Sequence, residues 1–142
     1  MSNRPGSWPA GLKHTRQREQ VRDILLAADR PLRAADIYEQ WRTAGNQVSL
    51  STIYRILEAF EKAGTVERSM MPGDETAFYK WREADGEHRH YATCLICHRQ
   101  IPLEGCPIGE MKLPTETPGF TITGHRIELF GYCEECGRKQ NL

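Results

Sequence analysis

Apolar residues recur with helical spacing in the first half of the chain. Over residues 15–28, Val21, Ile24, Leu25 and Ala28 fall at i, i+3, i+4 and i+7, and over residues 34–43 Ile37 and Trp41 stand four apart. The third pattern is the sharpest. Residues 50–63 carry the stripe Ile53, Ile56, Leu57 and Phe60, with Ser49 placed to cap the N-terminus and Gly64 to stop the C-terminus. Two short strand patterns follow, residues 65–70 and 76–81, joined by Pro72-Gly73-Asp74-Glu75, a turn by composition. Three helices and a β-hairpin predict a winged helix.

The second half reads differently. Residues 88–95, 120–123 and 126–132 have strand character, and residues 106–113 form a weak helix pattern among Pro102, Pro107 and Pro114. Between the halves, residues 82–87 are polar, acidic and without periodicity, as a hinge is. The predicted class is α+β. A winged helix (1–82) leads through a hinge (83–87) to a small α/β domain (88–142).

Composition narrows the function. The chain has 142 residues and a net charge of zero, so it carries no global basic field. Charge is instead divided: residues 1–82 hold 13 basic and 10 acidic side chains, and residues 83–142 hold 6 and 9. The longest apolar run, Ile24 to Ala28, is far short of the roughly 20 residues that span a bilayer. Residues 1–11 carry no apolar signal core either, so a soluble, cytoplasmic protein without a membrane partner is expected. Five cysteines, four of them in C-x-x-C pairs, argue for metal ligation over a secreted disulfide framework.

On the third helix, the side away from the apolar stripe presents Ser51, Thr52, Tyr54, Arg55 and Glu58. Hydroxyls near a helix N-terminus bond phosphate, tyrosine meets phosphate or a thymine methyl, and arginine bonds guanine O6 and N7. A plain solvated face is the alternative for each of them. Lys13, ahead of the first helix, is placed to reach phosphate or a minor groove.

Cys94-x-x-Cys97 and Cys133-x-x-Cys136 are the most specific chemical signal. Two residues between cysteines let both thiolates reach one ion at about 2.3 Å, and two such knuckles complete a tetrahedral zinc site. A redox C-x-x-C needs a thioredoxin-like context that is missing here. Cys106, the odd cysteine, reads as small buried filler.

His88 and His90 alternate along an expected strand and so share a side, and His125 opens the strand leading to Cys133. Together they suggest a second ion completed by a carboxylate, Glu110 first and Glu104 behind it. His14 and His98 read as surface residues, with His98 close enough to Cys97 to support it. Three imidazoles and a carboxylate suit Zn2+, Fe2+ or Mn2+, with zinc or iron preferred.

These residues together resemble the ferric uptake regulator (Fur) family of metal-sensing repressors, from Gly11 to Cys136. The matching stretches are Gly11-Leu12-Lys13-His14-Thr15 with Arg18, Asp36-Ile37-Tyr38, Ser51-Thr52-Ile53-Tyr54-Arg55, His88-Arg89-His90 before the first cysteine pair, and Gly124-His125 before the second. The resemblance implies a homodimer whose winged helices read an AT-rich palindrome. It assigns Cys94, Cys97, Cys133 and Cys136 to structural zinc, and His88, His90 and His125 to a regulatory site. The family's helix glutamate aligns with Gly109, one position from Glu110. Its hinge-side ligands fall at about Pro31, at Tyr79 and at Tyr91, none of them a normal ligand, so that site is absent or rebuilt.

Two other classes compete. A metal-dependent hydrolase would use the three-histidine ion as a Lewis acid, but Glu87 is the only general base worth naming. A zinc-ribbon interaction module would leave the Tyr54 and Arg55 face unexplained.

Overall fold

The computed structural model describes residues 8–82, 90–110 and 118–141, with the side chains of 109 and 110 outside that set. The expected hinge 83–87, with Glu87, and the ligand candidate His88 lie outside the described residues. The chain forms two compact units, Met1–Gly86 and Glu87–Leu142.

In the first unit, α1 (Arg16–Ala27) starts one residue later than its apolar pattern suggests, because Thr15 serves as its cap: its hydroxyl accepts from the Arg18 N–H at 3.2 Å. Helix α2 (Ala34–Thr43) follows. The Asp36 carboxylate accepts from the Arg33 N–H at 2.9 Å and pairs with the Arg33 guanidinium, which fixes the first turn of α2. Helix α3 (Leu50–Lys62) begins on Ser49, whose hydroxyl accepts from the Thr52 N–H. It ends where Gly64 takes a φ of +79°, a left-handed conformation that side chains with a Cβ resist.

Strands β1 (Val66–Met70) and β2 (Ala77–Trp81) pair antiparallel, Val66 opposite Trp81 and Met70 opposite Ala77. Tyr79 also exchanges both backbone hydrogen bonds with Leu32, which ties the hairpin to the start of α2. Every residue of the third apolar stripe is buried: Ile53, Ile56, Leu57 and Phe60 pack with Val21, Leu25, Ile37, Trp41 and Trp81. The Phe60 and Trp81 rings meet edge to face at 5.0 Å, and Trp41 donates from Nε1 to Gln20. This is a three-helix unit with a wing.

The second unit is a three-stranded sheet ordered β4-β3-β5. Strand β3 (Tyr91–Cys94) pairs antiparallel with β4 (Gln100–Pro102) and parallel with β5 (Leu129–Gly131), and α4 (Glu134–Lys139) closes the chain. Three expectations change here. Residues 120–123 form no strand; Phe120 and Ile122 are exposed, so their alternation buries neither face. The expected helix 106–113 is a single 3-10 turn, Pro107–Glu110, before the chain passes outside the described residues. Among the described residues, the strands expected over 88–95 and 126–132 pair only at Tyr91–Cys94 and Leu129–Gly131.

Candidate functional site

The parallel pairing of β3 and β5 explains how cysteine pairs with 35 residues between them come together. Cys94 stands opposite Gly131, so both strands run out at the same end of the sheet. The first knuckle turns immediately after β3: the His98 N–H returns to the Cys94 carbonyl at 2.9 Å, and His98 itself is left-handed with φ +63°. The Leu95 N–H donates to the Gly131 carbonyl at 2.8 Å and locks one knuckle to the other. Cys133 caps α4 and places Cys136 in its first turn.

The four sulfurs lie within 4.8 Å of one another, with Cys97 and Cys133 at 3.8 Å. With metal bonds of about 2.05 Å to nitrogen and 2.3 Å to sulfur, a tetrahedron has edges of about 3.4 Å between nitrogens, about 3.6 Å from nitrogen to sulfur and about 3.8 Å between sulfurs. The sulfur spacing is that of a zinc tetrahedron and nearly twice a disulfide bond. Protonation within the cluster is uneven. Burial pushes the Cys94 thiol up, but hydrogen bonds from the backbones of Cys133, Cys97 and Ile96 outweigh it and bring it down to about 6. Hydrogen bonding with the Cys133 side chain, followed by burial, pushes the Cys136 thiol up to about 12. Four sulfurs this close do not all ionise unless a cation balances them.

A second cluster stands at the other end of the same strands. His90 immediately precedes β3, and the chain reaches His125 before entering β5. Their Nε2 atoms are 3.4 Å apart, longer than an ordinary hydrogen bond and equal to a tetrahedral nitrogen edge. His90 is buried and His125 is exposed. The third member is Cys106, whose Sγ lies 3.5 Å from His125 Nε2.

Cys106 corrects its expected role: it is half-buried at the imidazole pair and is not core filler. The signal that marks it is the return of β4 toward His90, and a three-residue strand leaves too short a pattern to read. Glu104 is exposed and is not among the donors that converge there. Glu110 lies in the 3-10 turn just after Cys106, with its side chain outside the described residues. Tyr79, at a hinge-side position, is buried on the wing, and Tyr91 begins β3.

On α3, Ser51, Tyr54 and Arg55 are exposed and Thr52 is half-exposed, opposite the buried stripe. The Ser49 hydroxyl lies 2.9 Å from both the Ser51 and Thr52 hydroxyls, which gathers three of them at the helix N-terminus. Lys13 is exposed, and its carbonyl accepts from Arg18 at 2.8 Å, which steadies the backbone just before α1. No helix among the described residues is long and apolar enough to cross a membrane.

The ferric uptake regulator family model matches residues 9–130. The ferric uptake regulation protein of Staphylococcus epidermidis strain ATCC 12228 is 33% identical over 132 residues, covering 92% of this chain and 91% of its own. Among solved structures, the Helicobacter pylori ferric uptake regulator, described as having three functional metal-binding sites, gives a TM-score of 0.68 at 25% identity over 89% of this chain and 83% of its own. The Pseudomonas aeruginosa ferric uptake regulator with manganese gives 0.64 at 28% identity, over 88% and 92%. Family regulators bind DNA operators, which suits the outward face of α3. With three helices, a wing and two clusters of metal-ligating side chains in place, the chain belongs to the ferric uptake regulator family and is a metal-responsive transcriptional regulator, not a hydrolase.

Proposed function

We propose that this protein is a cytoplasmic, homodimeric repressor that binds an AT-rich palindromic operator when a regulatory divalent ion occupies the cluster of His90 and His125, joined by His88. The observation that carries this reading is the imidazole pair with its 3.4 Å Nε2 spacing, set at the start of β3 and ahead of β5. Glu110, at the end of the 3-10 turn between the two histidines in sequence, is the carboxylate that the sequence offers to complete it. A structural zinc at Cys94, Cys97, Cys133 and Cys136 holds the other end of the sheet.

In this reading residues 1–82 bind DNA, 83–87 are the hinge, and 88–142 dimerise and sense metal. Lys13, Ser51 and Thr52 meet phosphate, and Tyr54 and Arg55 reach the bases. Apolar side chains on the second unit support dimerisation: Phe120, Ile122, Leu129, Ile101 and Tyr132 are all exposed in the single chain, and β5 is an edge strand. An ion at His90 ties down the chain where it enters the sheet, and so constrains the hinge before it. A switch that changes operator occupancy decisively needs the ion to favour the DNA-competent state by roughly a hundredfold or more.

The test is His125→Ala, assayed for operator binding across a metal titration with the structural zinc retained. The variant is expected to stay a folded dimer and to lose the metal-stimulated gain in affinity. An unchanged metal response refutes the switch.

A further inference from the structure

The odd cysteine stands where its neighbours in the fold bring it. Strand β4 runs antiparallel to β3, with Pro102 opposite Tyr91, and the Leu103 N–H donates to the His90 carbonyl at 2.8 Å. The chain has therefore been returned to the His90 end of the sheet before it reaches Cys106. Gly105, at φ +74°, makes the last turn in a left-handed conformation that side chains with a Cβ seldom adopt. Cys106 then points its sulfur at His125 Nε2, at 3.5 Å.

We infer that the Cys106 thiolate is a ligand of the regulatory ion, in the place a carboxylate was expected to take, and that it makes the site one for zinc-like ions over manganese. The inference rests on the reading of His90 and His125 as that ion's ligands, and deepens it. The two measured spacings, 3.4 Å between nitrogens and 3.5 Å from nitrogen to sulfur, match the edges of a tetrahedron with mixed nitrogen and sulfur donors, about 3.4 and 3.6 Å. Three donors from three stretches of chain lie within 4.8 Å of one another. Cys106 thus stands with His90 and His125 in the position for which Glu110 was the candidate from sequence.

The donor set decides selectivity. Carboxylate and water suit Mn2+, imidazole suits several ions, and thiolate selects the softer, more thiophilic ones. Replacing the one hard donor by sulfur leaves a set that favours Zn2+, or Co2+ as its spectroscopic probe, over Mn2+.

The experiment is a Co2+ titration of protein that keeps one zinc per chain, followed by absorbance, with zinc release monitored so that no signal arises from the four-cysteine site. Wild type is expected to develop a sulfur-to-cobalt charge-transfer band that saturates at one equivalent. Cys106→Ser should lack that band. Losing a partner outside the ligand set costs about 10–100-fold in metal affinity, so losing a ligand should weaken second-site zinc binding by about 100-fold or more. Cys106→Asp should recover Mn2+ binding relative to Zn2+. If Co2+ binds in a manner that needs His125 yet shows no sulfur band, Cys106 is not a ligand and the imidazole site stands. If second-site Co2+ binding survives His125→Ala, or never occurs, the regulatory site itself has been misplaced and this inference falls with it.

Discussion

Tyr79 occupies a position where the family resemblance expects a carboxylate, and its surroundings suit it to packing. It is buried on β2 between its cross-strand neighbour Arg68 and the backbone of Leu32. Burial is the largest influence on its hydroxyl and raises it above the ordinary value of 10.0, Arg68 opposing and Glu61 adding to the shift. The folded state therefore holds this proton more tightly than the unfolded one. The associated stability is fully present below pH 10.0 and is lost as pH rises through the folded value. Urea midpoints followed from about pH 9 to about pH 11 should fall less steeply for Tyr79→Phe than for wild type. Parallel slopes for the two proteins would show that Tyr79 ionises as freely folded as unfolded. A buried phenol is a poor candidate for a hinge-side ligand, and the same chemistry that makes it so makes the wing sensitive to alkali.

At the scale of elements, α3 has a buried face that packs the core and an exposed face to which the proposed reading gives DNA contact, and a pair of substitutions separates them. Phe60 is fully buried and packs on Trp81 and Trp8, so Phe60→Ala should cost about 3–5 kcal/mol and lower the melting temperature of the first unit sharply. Arg55 is exposed, so Arg55→Ala should leave melting unchanged while weakening specific operator binding by about 1–3 kcal/mol. An equal loss on operator and random DNA would mean that Arg55 touches only phosphate. This helix was also the most legible part of the sequence, because a four-residue apolar stripe, a serine cap and a glycine stop agree on it. The hairpin was legible for a similar reason. By contrast, β4 is three residues long and α4 buries little beyond Cys136 and Gly137, so neither leaves a periodic trace. Residues 120–123 have a strand's alternation with no partner strand among the described residues, and the alternation misleads. The cysteine pairs and His125 could be read from spacing and residue type. Cys106 could not, since only the unpredicted return of β4 brings it to the imidazoles.

In the whole molecule, the two units are held together by different physics. The first has an apolar core built from three helices and a hairpin, Val21 to Trp81. Among the described residues of the second, the buried cluster consists of cysteines: Cys94, Cys133 and Cys136, with Cys97 packed against them. A module this small with sulfur at its centre has little apolar burial to offset chain entropy, and the zinc proposed at its four thiolates would supply that free energy. On that reading, zinc binding and folding are one event in the second unit, while the first folds on its apolar core. Stripping the metal with a strong chelator, or substituting Cys133→Ser, should unfold the second unit and abolish dimerisation while the winged helix keeps its structure. Amide hydrogen exchange reads this directly. The amides of Leu95 and Cys94, which donate to Gly131 and Arg99, should lose protection on zinc removal, whereas those of Leu32 and Tyr79, which bond each other's carbonyls, should keep it. If Leu95 and Cys94 stay protected in metal-free protein, the sulfur cluster is not what folds the sheet. The regulatory ion proposed at the opposite end of β3 would then act on a scaffold that stands without zinc.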